Sequence, residues 1–410
     1  MRTLKISFLV LILSIKMSAQ WYQQTSGTSV LLKGVYFTDV NNGIVVGNYG
    51  QILRTTDGGI TWTQETSTPA QPLSAVTFAD ENTGTIVGWY GTILRTTDGG
   101  INWIYQGIGS TWNLFAVCFT DTNTGTIVGN TQYDPTEIVL RTTDGGISWV
   151  TQLSETTNGL LGVSFIDANT GTLVGEYGKI LRTIDGGNNW IEQSSGTIAG
   201  LRGVFFTDAN YGTIVGLDGI ILRTTDGGDN WTIQVSGTTK WLYGISFTST
   251  YIGTVVGQDG TILRTTNGGQ NWIPQVSGTT KDLWAVSFTD TNNGTAVGQA
   301  GTILKTTNGG VTFIETEPNP TQPNSFLLYQ NYPNPFNPST RIKFQIANRT
   351  SVTLKIYDVL GNEVGILVNR EMEMGSYEVE FDASGIPSGI YFYRIKTESF
   401  VETKKMILLK

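Results

Sequence analysis

The chain has 410 residues, a formal net charge of −8 at pH 7 and no histidine. The acidic balance argues against nucleic acid as a partner, because nucleic-acid interfaces need clustered positive charge. Without histidine there can be no Ser-His-Asp triad, no histidine general base and no histidine-ligated zinc, and the single cysteine, Cys118, cannot form a disulfide within the chain.

The N-terminal segment, residues 1–19, has the features of a secretory signal peptide. Arg2 and Lys5 provide its basic start, residues 6–15 are largely apolar, and small residues mark a cleavage site before Gln20. The apolar stretch is too short to span a bilayer, and no cysteine follows the site directly to carry a lipid anchor. We expect a mature chain that enters the periplasm and has no transmembrane segment.

Seven copies of one phrase, typified by LRTTDGGITW at residues 53–62, occupy the middle of the chain. Its Asp or Asn stands at Asp57, Asp98, Asp144, Asp185, Asp226, Asn267 and Asn308, so the copies follow at steps of 41 residues with a single step of 46. A period near forty with β-rich content is typical of a β-propeller. We therefore predict an all-β chain in which residues 20–316 form a seven-bladed β-propeller.

Each repeat divides into four short β-rich runs. In residues 201–234 these runs are LRGVFF, GTIVG, IILRTT and NWTIQ, with turn residues between them, and four strands make one propeller blade. The first run always contains a phenylalanine, preceded three residues earlier by Gly or Ala. The phenylalanines are Phe37, Phe78, Phe119, Phe165, Phe206, Phe247 and Phe288. The small residue predicts that first strands crowd together at the axis, and the phenylalanine predicts a core position between blades.

The turn between the third and fourth runs, residues 55–62 in the first repeat, resembles the Asp-box of sialidase-type propellers. An aspartate there can accept hydrogen bonds from backbone N–H groups of its own turn, and the glycines supply positive φ. Asn267 and Asn308 replace the aspartate in the last two copies, which an Asx-turn tolerates better than a catalytic acid or a calcium ligand would. We interpret all seven positions as structural, and we predict no metal, no cofactor and no catalytic residue.

A basic residue precedes each of these turns, at Arg54, Arg95, Arg141, Arg182, Arg223, Arg264 and Lys305. Sialidases hold a carboxylate with three arginines, but those are not a ring tied to the Asp-box, so that role does not transfer. We expect the basic residue to be a structural partner of the neighbouring blade. A basic ring for an anionic partner is the alternative.

Two segments compete for the outer strand of the last blade. Residues 21–24, WYQQ, are similar to the fourth run of a repeat, whereas residues 313–315, FIE, follow the seventh copy directly. Propellers often let one terminus complete the blade that the other began, which removes a free sheet edge. The N-terminal tryptophan matches the pattern better, but either segment, or both, can add to the last blade.

Residues 317–325 form a proline-rich linker, and residues 326–410 read as alternating strands, which predicts a small Ig-like β-sandwich. NYPNPFNP at residues 331–338, GIPSGIY at residues 385–391 and a basic pair near the end resemble the type A C-terminal sorting domain of the type IX secretion system of Bacteroidetes-like bacteria. The resemblance implies contact with that machinery, passage across the outer membrane, and removal of the domain with release or surface attachment. An ordinary adhesive β-sandwich is the alternative.

The repeat unit GxxVGxxGxILRTTDGGxxW resembles the photosystem II assembly and stability factor family of seven-bladed propellers. That family binds protein partners without known catalysis. A photosynthetic role does not follow, because the sorting domain indicates a secreting heterotroph. The unit also looks like that of xyloglucanase-type glycoside hydrolases, which use two propellers where this chain has one.

The two propeller faces differ in their loops. The Asp-box turns share one face with the first-to-second turns, and the second-to-third turns share the opposite face with the connections between blades. Aromatic residues that do not repeat map to the opposite face, and we predict a ligand surface from Trp89, Tyr90, Trp112, Tyr133, Tyr177, Trp241, Tyr243 and Trp284. The residue after the opening leucine of each first strand also differs in every repeat: Lys33, Ser74, Phe115, Leu161, Arg202, Tyr243 and Trp284. Incidental packing between loops is the alternative.

We predict a non-enzymatic, monomeric binding protein, secreted or displayed on the outer cell surface, that recognises a protein or glycan. The alternative is a glycoside hydrolase or lyase that acts on polysaccharide at the face opposite the Asp-boxes. Hydrolysis needs two carboxylates that flank the scissile bond. The candidates on that face are Asp134, Glu176, Asp218, Asp259 and Asp282, and no pair stands out by motif.

Overall fold

The structure is a computed structural model that describes residues 21–108, 111–131, 136–153, 159–310 and 326–409. The predicted signal peptide, Tyr133, Asp134, residues 313–315 and the proline-rich linker lie outside the described residues. The described residues form two compact units, one within residues 21–310 and one within residues 326–409.

The first unit contains seven four-stranded antiparallel sheets among the described residues. The chain begins with β1 (Tyr22–Gln24), followed by blade 1 with β2 (Leu32–Phe37), β3 (Gly43–Gly47), β4 (Gln51–Thr55) and β5 (Thr63–Thr66), and by blade 2 with β6 (Leu73–Phe78), β7 (Gly84–Gly88), β8 (Ile93–Thr96) and β9 (Ile104–Tyr105). Blade 3 contains β10 (Trp112–Phe119), β11 (Gly125–Thr131), β12 (Glu137–Thr142) and β13 (Val150–Leu153), blade 4 contains β14 (Leu160–Phe165), β15 (Gly171–Gly175), β16 (Ile180–Thr183) and β17 (Ile191–Gln193), and blade 5 contains β18 (Leu201–Phe206), β19 (Gly212–Gly216), β20 (Ile221–Thr224) and β21 (Thr232–Gln234). Blade 6 contains β22 (Leu242–Phe247), β23 (Gly253–Gly257), β24 (Ile262–Thr265) and β25 (Ile273–Pro274), and blade 7 contains β26 (Leu283–Phe288), β27 (Gly294–Gly298) and β28 (Ile303–Thr306). Short 3₁₀ turns lie at Asn48–Gly50, Glu176–Gly178, Leu217–Gly219, Gln258–Gly260 and Gln299–Gly301.

The blades close into a ring. Each first strand contacts the first strands of the two neighbouring blades, and β26 of blade 7 contacts β2 of blade 1. The fold is therefore the predicted seven-bladed β-propeller.

The N-terminal segment supplies the outer strand of the last blade, whose order is β1-β28-β27-β26. Tyr22 pairs with Lys305 in an antiparallel register. Trp21 is almost fully buried, with its ring at right angles to Phe288, so it occupies the place that the repeat tryptophan has in other blades. Of the two closing segments that the sequence left open, the N-terminal one is thus seen to pair.

Small residues allow the first strands to approach each other at the axis. A Cβ built on Gly244 would lie 2.9 Å from the Ala285 Cα of the next blade, a distance that real side chains do not tolerate. The glycine that opens each second strand makes room for a phenylalanine ring, since a Cβ on Gly43 would lie 2.6 Å from the Phe37 ring. The predicted crowding of first strands is confirmed.

The core lies between adjacent blades. One cluster joins Ile44 and Val46 of blade 1 to Leu73 and Leu94 of blade 2, and the other propeller clusters repeat this arrangement. The repeat phenylalanine packs edge-on against the tryptophan of its own blade, as Phe165 does against Trp190 at a centroid distance of 6.1 Å. Burying large apolar side chains in this way contributes roughly 1.5–3 kcal/mol each.

The second unit is a β-sandwich. Its strands are β29 (Leu327–Leu328), β30 (Ser339–Ile346), β31 (Thr350–Tyr357), β32 (Glu363–Met372), β33 (Gly375–Asp382), β34 (Gly389–Lys396) and β35 (Val401–Leu408). They form the sheets β29-β30-β33 and β32-β31-β34-β35 around one apolar core. The buried Tyr393 hydroxyl donates to the Tyr329 carbonyl and accepts from the Asn331 backbone N–H, both at 2.8 Å. This pair of hydrogen bonds explains why the motif that begins at Asn331 has a fixed place in the sandwich.

Candidate functional site

The basic residue joins neighbouring blades in several repeats. In blade 5 the Arg223 guanidinium donates from Nη1 to Thr213 Oγ1 at 2.7 Å and from Nη2 to the Thr250 carbonyl of blade 6 at 2.9 Å. Burial lowers the pKa of this guanidinium. Arg141 and Arg264 bond in the same pattern. These contacts favour the structural interpretation of the basic ring over a site for an anionic partner.

The aspartate of each repeat turn is held by its own turn. The Asp144 carboxylate accepts hydrogen bonds from the Thr142 hydroxyl at 2.7 Å and from the Ser148 N–H at 2.9 Å and hydroxyl at 2.5 Å. These donors lower the pKa of the Asp144 carboxyl to about 2. Asn267 accepts from the Thr265 hydroxyl and the Asn271 N–H, both at 3.0 Å, so an amide can replace the carboxylate. This geometry supports a structural role for the turn.

The second-to-third turns require a left-handed residue. Among the described residues, the non-glycine residues with φ between 54° and 57° are Tyr49, Tyr90, Tyr177, Asp218, Asp259 and Ala300, one in each of blades 1, 2 and 4 to 7; the corresponding turn of blade 3 lies outside the described residues. Such residues are uncommon outside glycine. Tyr90 and Tyr177, both predicted ligand residues, therefore occupy a position that the turn itself defines.

The variable residues of the first strands meet at the axis. A cavity of about 440 Å³ is lined by the residue after the opening leucine in all seven blades and by Trp89. The lining side chains at these positions are Lys33, Ser74, Trp89, Phe115, Leu161, Arg202, Tyr243 and Trp284. One position of the repeat thus produces a mixed aromatic and cationic lining, which we call the axial cavity.

An aromatic and cationic cluster forms one side of the axial cavity. The Tyr243 and Trp284 rings stack with a centroid distance of 4.6 Å and an interplanar angle of 3°. The Lys33 Nζ lies 5.1 Å from the Trp89 centroid and 6.0 Å from the Trp284 centroid. Distances below about 6 Å allow a cation–π attraction. The rings therefore hold the Lys33 ammonium in place.

Burial shifts the acidity of this cluster. It lowers the pKa of the Lys33 ammonium, because the half-buried cation loses hydration. It raises the pKa of the Tyr243 phenol, with Asp282 acting in the same direction and Arg202 in the opposite one. In blade 5, Arg202 Nη2 lies 3.3 Å from a carboxylate oxygen of Glu176.

The structure brings together only some of the predicted ligand residues. Trp89, Tyr243 and Trp284 line the axial cavity. Tyr90, Tyr177 and Trp241 are exposed and lie outside the lining. Trp112 lies outside it as well, because it is half-buried at the start of β10 and packs against the core between blades 2 and 3. Tyr133 lies outside the described residues.

Sequence reasoning did not name five lining residues as ligand residues: Lys33, Ser74, Phe115, Leu161 and Arg202. The signal that could have found them was present, because their shared position varies in every repeat while its neighbours do not. The predicted set contained aromatic side chains only and therefore lacked Lys33 and Arg202.

None of the described residues that line the axial cavity is acidic. Three of the candidate carboxylates, Glu176, Asp259 and Asp282, have partners among the described residues, and Glu176 pairs with Arg202. Asp282 accepts from the Asp259 N–H and the Gln299 side-chain amide, both at 2.9 Å, and Asp259 forms an ion pair with Lys240. A smaller cavity of about 190 Å³ between blades 1 and 2 includes Asp39 and Asp98, which accept hydrogen bonds from their own turns.

No group of three or more Cys, Asp or Glu side chains in the described ranges is placed to hold a metal ion. Nor does any helix within them have the length and apolarity needed to cross a membrane.

Comparison with known proteins gives two family matches. The family described as photosynthesis system II assembly factor YCF48 matches residues 13–105, 148–236, 197–272 and 232–328, and the secretion system C-terminal sorting domain matches residues 330–409. No curated protein matches the chain.

Solved structures similar to this chain are propellers. One described as YCF48 bound to D1 peptide is 21% identical with a TM-score of 0.59, over 72% of this chain and 100% of that one. YCF48 from Cyanidioschyzon merolae is 21% identical with a TM-score of 0.58, over 70% and 98% of the two chains. The GH74 enzyme of Niastella koreensis is 13% identical with a TM-score of 0.59, over 94% and 74%.

At these identities the solved structures show the fold alone. The family match is stronger, because it extends over more than half of the chain and coincides with the propeller repeats. The chain therefore belongs to the photosynthesis system II assembly factor YCF48 family, and it ends in a secretion system C-terminal sorting domain.

Proposed function

We propose that this chain is an exported, non-enzymatic binding protein that recognises a protein or glycan at the axial cavity. The observation that carries the proposal is the convergence of the seven variable first-strand residues, together with Trp89, on that one cavity. The sorting domain supports export to the cell surface or the medium. We propose that the propeller acts there as a monomer.

Comparison of the repeats distinguishes the positions that the fold constrains from the positions that vary. The leucine before each variable residue is buried, as Leu242 is, and the residue after it is small because the strands crowd at the axis. The residue between them ranges from serine to tryptophan. A cavity of a few hundred Å³ with aromatic walls and a few polar groups is the usual form of a ligand site.

The family offers a precedent for a peptide ligand, since one structure similar to this chain is described as YCF48 bound to D1 peptide. The precedent supports recognition of a protein and does not carry over the identity of the peptide. A photosynthetic role is not part of the proposal, because the sorting domain supports export from the cell.

The hydrolase alternative has weaker support. Hydrolysis of a glycoside needs two carboxylates on either side of the scissile bond. The described lining of the axial cavity contains none, and Asp259 and Asp282 are engaged in turn contacts. The similarity to a GH74 enzyme shows the propeller fold alone.

A screen with the purified full chain tests this proposal. The protein would be applied to a peptide array and a glycan array, and incubated with plant and bacterial polysaccharides to detect new reducing ends. We expect array ligands whose binding is lost in Phe115→Ala and Trp284→Ala, without release of reducing ends. Trp241→Ala, an exposed aromatic outside the lining, is the matched control. Ligands that survive both cavity substitutions, or turnover of a polysaccharide, would contradict the proposal.

A further inference from the structure

The charges and aromatic side chains of the axial cavity point to one ligand chemistry. Building on the proposed function, we infer that the cavity receives a carboxylate side chain of an acidic peptide segment in a protein partner. Lys33 and Arg202 are the cations that this carboxylate would meet.

The lining is cationic although the chain is acidic. It contains Lys33 and Arg202 and no described acidic residue, whereas the whole chain carries a net charge of −8. The described residues place no carboxylate in ion-pair contact with Lys33, and only Glu176 contacts Arg202. Glu176 therefore balances Arg202 in part, and Lys33 carries the uncompensated positive charge that attracts an anion.

The Lys33 ammonium is already held in place and partly dehydrated in the folded protein. The two indole rings fix its ammonium, and burial lowers its pKa with no opposing anion. Part of the desolvation cost of the cation is therefore already present in the folded protein. An incoming carboxylate meets a fixed, partly dehydrated charge, which strengthens their attraction relative to an exposed pair.

The aromatic rings favour a peptide over an acidic sugar. Trp284 lies in the blade between those that carry Tyr243 and Lys33, with the Tyr243 ring stacked on it and the Lys33 ammonium nearby. These neighbours already use the ring faces on which a sugar would stack. Phe115 and Leu161 give the cavity an apolar side that suits the methylene groups of a glutamate side chain.

Fluorescence anisotropy with three labelled probes tests the inference on the purified full chain in low-salt buffer. The probes are a hexaglutamate peptide, a hexaglutamine peptide and a hexamer of galacturonate, which carries the same charge on a glycan. We expect the hexaglutamate to bind about ten-fold or more tightly than either other probe. Lys33→Met and Arg202→Gln should each weaken hexaglutamate binding about ten-fold or more, as loss of a close charge pair does.

Lys281→Met is the matched control, because it removes the same charge from an exposed lysine outside the lining, in the connection between blades 6 and 7. It should change hexaglutamate binding by less than about two-fold. Lys33→Met should fold at least as well as the parent, since it replaces a half-buried charge by an apolar side chain of similar length. A thermal melt checks this for each variant.

Three results would overturn the inference: equal binding of hexaglutamate and hexaglutamine, equal weakening by Lys33→Met and Lys281→Met, or Lys33-dependent binding of galacturonate alone. Its failure is distinguishable from failure of the proposed function. Array ligands that depend on Phe115 and Trp284 but show no preference for acidic peptides would support the proposed binding function and contradict the inferred carboxylate ligand. Absence of any ligand that depends on the cavity would remove both.

Discussion

The guanidinium carbon of Arg223 in blade 5 lies 5.5 Å from the centroid of the Phe247 ring in blade 6. The same relationship recurs around the ring, and Lys305 Nζ of blade 7 lies 4.7 Å from the Phe37 ring of blade 1. The cation thus connects the third strand of one blade to the first strand of the next. The propeller is held together by such contacts as well as by apolar packing, and this relationship can be tested.

Arg223→Ala should lower the free energy of unfolding by about 2–4 kcal/mol, because it leaves the buried Thr213 hydroxyl and the Thr250 carbonyl without their donor and opens a gap over Phe247. Arg223→Lys should cost about 1 kcal/mol, since Lys305 shows that a lysine can occupy this position but cannot reproduce both hydrogen bonds. Denaturant unfolding of both variants checks the order. Equal losses would argue against the hydrogen bonds as the main contribution.

Asp144→Asn should leave the melting temperature nearly unchanged, because Asn267 accepts the equivalent hydrogen bonds from Thr265 and Asn271. Asp144→Ala should lower it by several degrees, because the Ser148 N–H then has no acceptor in its turn. Differential scanning calorimetry of the two variants measures both effects. If the amide were as damaging as alanine, or if calcium raised the melting temperature of the parent strongly, the structural interpretation of the turn would fail.

Acid should destabilise the propeller through these turns. Hydrogen bonds lower the pKa of Asp57, Asp98, Asp144 and Asp226 to about 2, below the ordinary value of 3.8. Between those values the unfolded chain binds more protons, so the contribution to stability is complete above about pH 4 and disappears as the pH falls towards about 2. Changing all four residues to asparagine should flatten this part of the curve. Unfolding midpoints measured from pH 7 to pH 2 would show a parallel decline in both proteins if other groups were responsible.

Ala300→Gly should stabilise the propeller by about 0.5–1 kcal/mol. Ala300 has φ of 54°, and the left-handed conformation costs a non-glycine residue about 1–2 kcal/mol, which exceeds the extra chain entropy of glycine. Ala199→Gly is the control, because Ala199 is not among the residues with positive φ. It should be neutral or destabilising. Thermal unfolding of both variants decides whether the turn geometry or the residue type determines the effect.

Removal of residues 326–410 should prevent appearance of the protein outside the cell while leaving the propeller folded. The family match assigns residues 330–409 to a sorting domain, and the propeller sheets lie within residues 21–310. Expression in a host with a type IX secretion system, followed by fractionation, should recover the truncated chain from the periplasm. Normal amounts in the medium would contradict the role of the domain.

The sequence predicted the architecture well because the fold repeats its requirements. Crowding at Gly244 and packing of Phe165 on Trp190 recur in other blades, so comparison between copies revealed them without a structure. The site is harder to predict, because it depends on residues that do not repeat. Trp112 and Trp284 looked equivalent as non-repeating aromatics, yet only Trp284 lines the axial cavity.

Ring closure shows the same limit. Both candidate segments had suitable residues, and the pairing of β1 with β28 joins residues at opposite ends of the propeller sequence. The cation Lys33 was visible as a variable residue, but its position between two indoles depends on Trp89 from blade 2 and Trp284 from blade 7. Contacts of that kind join residues far apart in the chain and leave no local pattern.

Because β1 pairs with β28, the first strand of the propeller gains its partner only after the last strand has been synthesised. About 280 residues separate Gln24 from Ile303, which corresponds to roughly 15–60 s of synthesis at about 5–20 residues per second. Until β28 is available, the backbone groups of β1 that pair with it have no partner and can pair with another chain. A chain that stops before residue 303 lacks β28, so its β1 stays unpaired. Incomplete synthesis therefore leaves an exposed pairing strand rather than a smaller closed ring.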